Sequence, residues 1–221
     1  MKSGNQDDLK CLTQNENARC PNCNSLERHR LLWIYLYDRT GIFDNNQKRL
    51  LEFAPDEFFF NAFKNQEPIE YFPCDLDPAK QKFANYDGSI LKEDITSLSF
   101  ADNFFDFILC SHVLEHVADD ELAMSELLRV LKKAGQAIIQ VPVDYTREKT
   151  YEDFSITSEE GRQKAFGQKD HVRWYGKDFK ERLEKAGFVV TEDKYVFSFS
   201  PSDIARYGFD KYEIIYHCEK Q

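Results

Sequence analysis

The chain has 221 residues, 42% of them hydrophobic, with 19 Phe and 11 Tyr, enough for one large core and an appendage. Its formal charge is −10 and the excess is local: residues 48–142 hold seventeen Asp/Glu against nine Lys/Arg, while residues 1–47 balance at six each. That field disfavours a phosphate-rich polymer as partner, and no apolar run nears the roughly 18 residues of a bilayer span.

The polar start MKSGNQDDLK has no apolar secretory core, and six scattered cysteines do not make a disulfide framework in a chain this long. The expected setting is a reducing cytoplasm. Residues 1–24 are polar, carry three cysteines and read as irregular, with one domain expected over 25–221. Ser25 is placed to cap a helix along LERHRLLWIYLYDRT, with Leu31, Leu32, Ile34, Tyr35 and Leu36 on its apolar face and Gly41 ending it. Strand and helix patterns then alternate. KRLLEFA (48–54) reads as a buried strand and DEFFFNAFKN as a short helix, whose Phe58, Phe59, Phe60 and Phe63 read as core. IEYFPCDLD (69–77) is a second strand, followed by a helix that Pro78 opens. SILKEDI (89–95) is a third, weak strand, and FFDFILCSHV (104–113) a fourth that passes into a helix.

Asp119 and Asp120 stand where a cap belongs, before ELAMSELLRVLKK with Leu122, Leu127, Leu128 and Leu131 on one side and a stop at Lys132, Lys133 and Gly135. QAIIQVPV (136–143) is the fifth strand. The polar stretch 144–175 lacks a clear period and is long for a connection, which suggests a lid over a ligand, an acceptor-binding insertion or disorder. KDFKERLEKAG is a helix closed by Gly187, and FVVTEDKYVFSF and KYEIIYHCEK read as two last strands, antiparallel across a short link. The whole predicts an α/β fold: a doubly wound, mostly parallel seven-stranded sheet with an antiparallel last strand.

In such sheets ligands bind at the carboxyl ends of the strands, and here those ends are acidic: Glu52, then Asp75 and Asp77, then Glu93 and Asp94. Acids after strands also serve as helix N-caps, which fits Asp56 and Glu57. A dinucleotide needs a G-x-G-x-x-G turn, and Ala54-Pro55-Asp56-Glu57 has no glycine, one lost N–H donor and two charges that repel phosphate. A nicotinamide oxidoreductase is thereby disfavoured. A phosphate-free ligand with cationic groups suits the acidic rim.

The run EDITSLSFADNFFDFILCSHVLEHVADDELAMSELLRVLKKAGQAIIQVPV resembles the central half of class I S-adenosylmethionine-dependent methyltransferases of the small-molecule type. KDHVRWYGKDFKERLEKAGF is similar to a later segment of that family, and Ala134-Gly135 stands where a Gly-Gly pair is usual. The resemblance implies S-adenosyl-L-methionine as cofactor. Glu52 then matches the acid near the methionine amine, and Phe53, Ala54 and Pro55 a variant Ala-Pro-acid form of the glycine-rich turn. Asp75 matches the carboxylate that holds the ribose hydroxyls, with Leu76 against the adenine. Asp94 matches the acceptor for the adenine amino group, Ile95 supplies a backbone N–H, and Cys110, Ser111 and His112 match the end of strand four beneath the reacting methyl.

Methyl transfer needs a base only where the acceptor must lose a proton, and histidine suits that task near neutral pH. His112 is the first candidate. His171 is the second, with Arg173 beside it able to pair with an acceptor carboxylate. His116 shares a helical face with His112, but Glu115 is misplaced for a zincin motif, so His116 is expected as a structural hydrogen-bonder and no metal is expected. Cys20-Pro21-Asn22-Cys23 is half a zinc knuckle; Cys11 could add a third ligand and His29 falls inside the expected helix, so inert thiols are expected. The function implied is methyl transfer to a small-molecule acceptor, with no membrane partner. An RNA-modifying methyltransferase that docks through a degenerate zinc-ribbon arm and Arg28, His29 and Arg30 is one alternative, opposed by the charge balance. A non-catalytic module that has lost its cofactor is the other.

Overall fold

A computed structural model describes residues 17–81, 83 and 88–221. The expectation for Cys11 lies outside those residues, as does much of the helix expected after Pro78, where the turn Pro78–Lys80 is described as a 3-10 helix. In chain order the described strands are β1 (Lys48–Phe53), β2 (Ile69–Asp75), β3 (Leu91–Lys92), β4 (Phe105–Ser111), β5 (Leu131–Gln140), β6 (Tyr151–Glu152), β7 (Arg173–Trp174), β8 (Val189–Asp193) and β9 (Ile215–Glu219). The α-helices are α1 (Glu27–Arg39), α2 (Glu57–Phe63), α3 (Asp120–Val130), α4 (Glu159–Phe166), α5 (Phe179–Ala186) and α6 (Pro201–Tyr207). Among the described residues no helix is long and apolar enough to cross a membrane.

The chain divides into two compact units, with boundaries at Gly41 and Lys194. One joins the described part of Met1–Gly41 to Lys194–Ile214. Within it α1 buries Leu31, Leu32, Tyr35 and Leu36, and its first turn is closed by the Leu26 N–H donating to His29 Nδ1 at 3.3 Å. Arg30 donates to the carbonyls of Asn17 at 2.6 Å, Ser25 at 2.7 Å and Tyr207, so it is spent inside the unit. Tyr195 meets Tyr35 edge-on at 5.1 Å and donates to Asp38.

The other unit, Ile42–Asp193 with Ile215–Gln221, is built on a seven-stranded sheet ordered β3-β2-β1-β4-β5-β9-β8. All its pairings are parallel except those of β9, which is antiparallel to both neighbours. Leu50, Leu51, Ile108, Leu109, Ile138 and Ile139 are buried, as near-continuous apolar runs are when both sheet faces are covered. α2 buries Phe59, Phe60 and Phe63, with Phe60 and Phe63 against Tyr71 of β2 at 6.4 and 5.6 Å, so these rings are core.

Several local expectations need correction. β8 and β9 are separated by residues 194–214, which hold α6, so their link is long; the aromatic run after Asp193 turns into the 3-10 helix Tyr195–Ser198 instead of extending the strand. α3 is capped by Asp119, which accepts from the Leu122 N–H at 3.0 Å, but it leaves Leu122 46% exposed and buries Ala123, Met124, Leu127 and Val130. α3 also stops at Val130, before the expected lysines, because Leu131 already pairs with Phe105 and a bulge precedes the Phe107–Gln136 register. The stretch 144–175 is partly regular: β6 and β7 pair antiparallel and enclose α4, which Ser158 caps and Gly167 ends at φ +82°.

Inside the bulge Ala134 has φ +57°, and a Cβ at Gly135 would lie 2.8 Å from the Lys132 carbonyl. Both positions of the pair favour glycine, and only the second has it. Ala134→Gly should therefore raise the unfolding free energy by about 1 kcal/mol. Urea unfolding of the two proteins checks this, and an unchanged or lower value counts against strain at Ala134.

Candidate active site

β1 is where the winding reverses, with β2 on one side and β4 on the other. Crevices in doubly wound sheets open at such a point, beyond the carboxyl ends of the strands. The registers align Phe53 with Cys74 and with Cys110. Ala54, Asp75 and Ser111 are therefore the next residues outward on three adjacent strands.

Ala54 has φ +45°, and its N–H donates to the Cys74 carbonyl at 2.8 Å. A left-handed residue turns the chain sharply off the strand end, a job usually given to glycine. Pro55 is then buried, and exposed Asp56 leads into α2. Glu52 lies behind this turn, 3% exposed, and accepts a hydrogen bond from the Tyr71 hydroxyl. Burial pushes its carboxyl up to about 8, with the Tyr71 bond opposing and the Asp56 charge adding.

Asp75 is held by its own turn, accepting from the Asp77 N–H at 2.7 Å and from Gln81 Nε2 at 2.6 Å. Leu76 beside it is 64% exposed, an apolar side chain left in water at a strand end. Asp94 accepts from the Thr96 N–H at 2.9 Å and its hydroxyl at 2.7 Å, and these bonds hold its carboxyl below the usual carboxylate range. Ile95 is buried.

At the end of β4, Cys110 is wholly buried, and burial together with the Glu115 charge pushes its thiol far up, so it offers no nucleophile. Ser111 is half-buried. His112 has φ +57°, donates its backbone N–H to the Gln140 carbonyl at 2.8 Å, and places Nδ1 3.3 Å from Glu115 Oε1. Its side chain stays a third exposed.

His171 lies buried, edge-on to His116 with ring centroids 4.7 Å apart. Burial pushes its imidazole down, and the Glu115 charge opposes that. His116 Nδ1 stands 3.3 Å from the Asp170 carbonyl, in keeping with a hydrogen-bonding role. Glu115 is thus the residue that relates the two candidate histidines, and nothing in its spacing revealed that.

Arg173 does something other than expected. It is 1% exposed and donates to the carbonyls of Leu114 at 2.8 Å, Ala118 at 2.9 Å and Val117, and to Glu152 at 2.9 Å. Asp120 adds a contact at 3.5 Å, and it also accepts from Tyr175 at 2.7 Å and Arg182 at 2.6 Å. A guanidinium so enclosed cannot reach an acceptor carboxylate. Its donors are fully used in joining β7 to the residues after β4.

Residues 57–139 match the family described as a methyltransferase domain. An uncharacterized methyltransferase of Mycobacterium sp. (strain KMS) is 34% identical over 88 residues, which span 38% of this chain and 35% of that protein. A SAM-dependent methyltransferase from Archaeoglobus fulgidus superposes with a TM-score of 0.58 at 17% identity, covering 90% of this chain and 96% of the other. An S-adenosylmethionine-dependent methyltransferase from Mesorhizobium loti gives 0.60 at 13% identity, covering 88% and 100%. At those identities the solved structures speak for the fold.

The Glu52 carboxyl has a pH consequence. Below its ordinary value of 4.5 it is neutral in both folded and unfolded chains. As pH rises towards about 8 the unfolded chain ionises first, so stability is lost across that window. Glu52→Gln keeps an acceptor for Tyr71 and cannot ionise. Urea unfolding at several pH values should show the parent losing stability relative to this variant between 4.5 and about 8. A difference that stays flat would mean an ionised Glu52 in the fold.

Proposed function

We propose that this chain is a class I S-adenosylmethionine-dependent methyltransferase that transfers a methyl group from S-adenosylmethionine to a small-molecule acceptor, a reading supported by the methyltransferase-domain match over residues 57–139. The observation that carries this reading is the chemistry of the strand ends: Asp75 and Asp94 ordered by their own turns, exposed Leu76 beside them, and a turn at Ala54 that offers no phosphate cradle. Those residues suit an adenosyl group with cationic ends. Asp75 would accept from the ribose hydroxyls and Asp94 from the adenine amino group. Covering Leu76 with the base would contribute roughly 1–2 kcal/mol of apolar burial. Glu52 stands behind the turn at the end where the methionine ammonium would lie.

When bound, S-adenosylmethionine supplies an electrophilic methyl carbon on a sulfonium. The chain's own part is to exclude water, position the acceptor and take up a proton where the acceptor is a hydroxyl or a protonated amine. His112 is the residue proposed for that proton. Its Nδ1 faces Glu115 Oε1 at 3.3 Å, which leaves Nε2 to receive it. With a hydroxyl acceptor, the proton released as its oxygen takes the methyl group would pass to His112 Nε2, and the cofactor would leave as its neutral thioether. The excess of eight negative charges over residues 48–142 supports a small acceptor over a polyanionic one.

Calorimetry with S-adenosylhomocysteine tests the reading directly. Asp75→Ala should weaken binding by about 1.5–3 kcal/mol, the value of charge-assisted hydrogen bonds, in a protein that melts as a folded chain. No binding to the parent protein would refute the assignment. His112→Ala should lower turnover by about 10²–10⁴ with a proton-bearing acceptor and leave S-adenosylhomocysteine affinity near that of the parent. Turnover within a few-fold of the parent would leave positioning as the source of catalysis.

A further inference from the structure

Two stretches more than fifty residues apart bring three ligand-bearing side chains together. Glu115, His116 and His171 each offer one ligand atom, and these atoms all lie within 4.8 Å of one another. Glu115 is 1% exposed, and its Oε2 has no hydrogen-bond partner, while Oε1 faces His112. An orphaned carboxylate oxygen in a protein interior is costly to desolvate, which a cation held against it would offset.

His116 is already oriented from outside: its Nδ1 faces the Asp170 carbonyl at 3.3 Å and its carboxylate at 3.5 Å. Metal-ligating histidines characteristically use their second nitrogen in this way. The stretches are also fixed to each other: the Val172 N–H donates to the Glu115 carbonyl at 2.9 Å, and Arg173 binds the carbonyls on either side of the Glu115–His116 pair. The ligand set is therefore assembled by the fold itself.

We propose that Glu115, His116 and His171 bind one divalent transition-metal ion of the zinc class, with Glu115 Oε2 as the carboxylate ligand. Two imidazoles and one carboxylate favour zinc over magnesium, which prefers oxygen ligands. Donors about 2.0–2.1 Å from a tetrahedral zinc stand roughly 3.3 Å apart, so the cluster needs to close by about 1.5 Å at most, and exposed His116 has room to turn. Three protein ligands leave a fourth position for water or another oxygen. The ion would sit one carboxylate away from His112. The proposal concerns metal binding alone and stands whether or not the methyl-transfer reading holds.

The test is calorimetric titration of the whole chain, stripped with a chelator, with Zn²⁺ and separately with Mg²⁺. A Cys20→Ser, Cys23→Ser variant is titrated in parallel to remove the competing thiols. The expected result is one Zn²⁺ per chain at sub-micromolar Kd in both proteins and no Mg²⁺ binding at the same concentration. Glu115→Gln, and His116→Ala with His171→Ala, should each lose at least about 100-fold in affinity. Co²⁺ binding to the unmutated chain gives a readout that needs no variant. Visible bands without a near-ultraviolet thiolate band are expected. Absence of Zn²⁺ binding, Mg²⁺ binding of equal strength, a thiolate band, or full Zn²⁺ affinity in folded ligand variants would each overturn the site.

Discussion

The structure of the sheet unit turns on one buried charge. Arg173 carries a guanidinium with five N–H donors, yet it is 1% exposed, so every donor must find an acceptor. It finds three consecutive-turn carbonyls after β4 and two carboxylates, one from β6 and one from α3. Removing one side of such an arrangement typically costs about 3–5 kcal/mol, because the other side is left charged and dry. This requirement shapes the chain on both sides. It holds the 3-10 turn Leu114–His116 against β7, fixes the start of α3 through Asp120, and brings His171 beside His116.

Two residues that flank the crevice share an unusual feature. Ala54 and His112 both have positive φ without being glycine, and they follow the two strands between which the winding reverses. Left-handed backbone costs about 1–2 kcal/mol at a residue with a Cβ. The hydrogen bonds that hold it are visible: Ala54 to Cys74, and His112 to Gln140, whose own side chain accepts from the Tyr216 N–H at 2.8 Å. Strain of this kind gathers where the chain must turn off a strand and still present a side chain or backbone to a ligand.

The sheet was legible in the sequence because buried parallel strands are written as apolar runs, KRLLEF and FDFILC among them, and because acids stand at their ends. Those signals are local. What escaped reading was set by partners remote in sequence. α3 ends at Val130 because Leu131 is claimed by β4, which overrides the lysines and glycine that advertise a later stop. Leu122 looks like core by spacing, but the cap at Asp119 fixes the helix phase that leaves it outside. Arg173 reads as a partner for an acceptor carboxylate until the carbonyls of residues 114–118 are placed around it, some 55–59 positions away. The candidate rim was read mainly from acids and resemblance, while the burial of Glu52, Cys110 and His171 required the packed chain.

The position of β9 between β5 and β8 has a consequence for the order in which the molecule can be made. A ribosome delivers β8 before residues 194–214 and β9 after them, so β8 has no strand to pair with while it waits. β5 likewise keeps one edge open during that interval, with Gln136, Ala137 and Ile138 along it. Unpaired apolar edges are templates for association with other chains. The nascent protein therefore depends on late closure of its sheet, and a pause in translation between Asp193 and Ile215 would lengthen its exposure to aggregation or to chaperones.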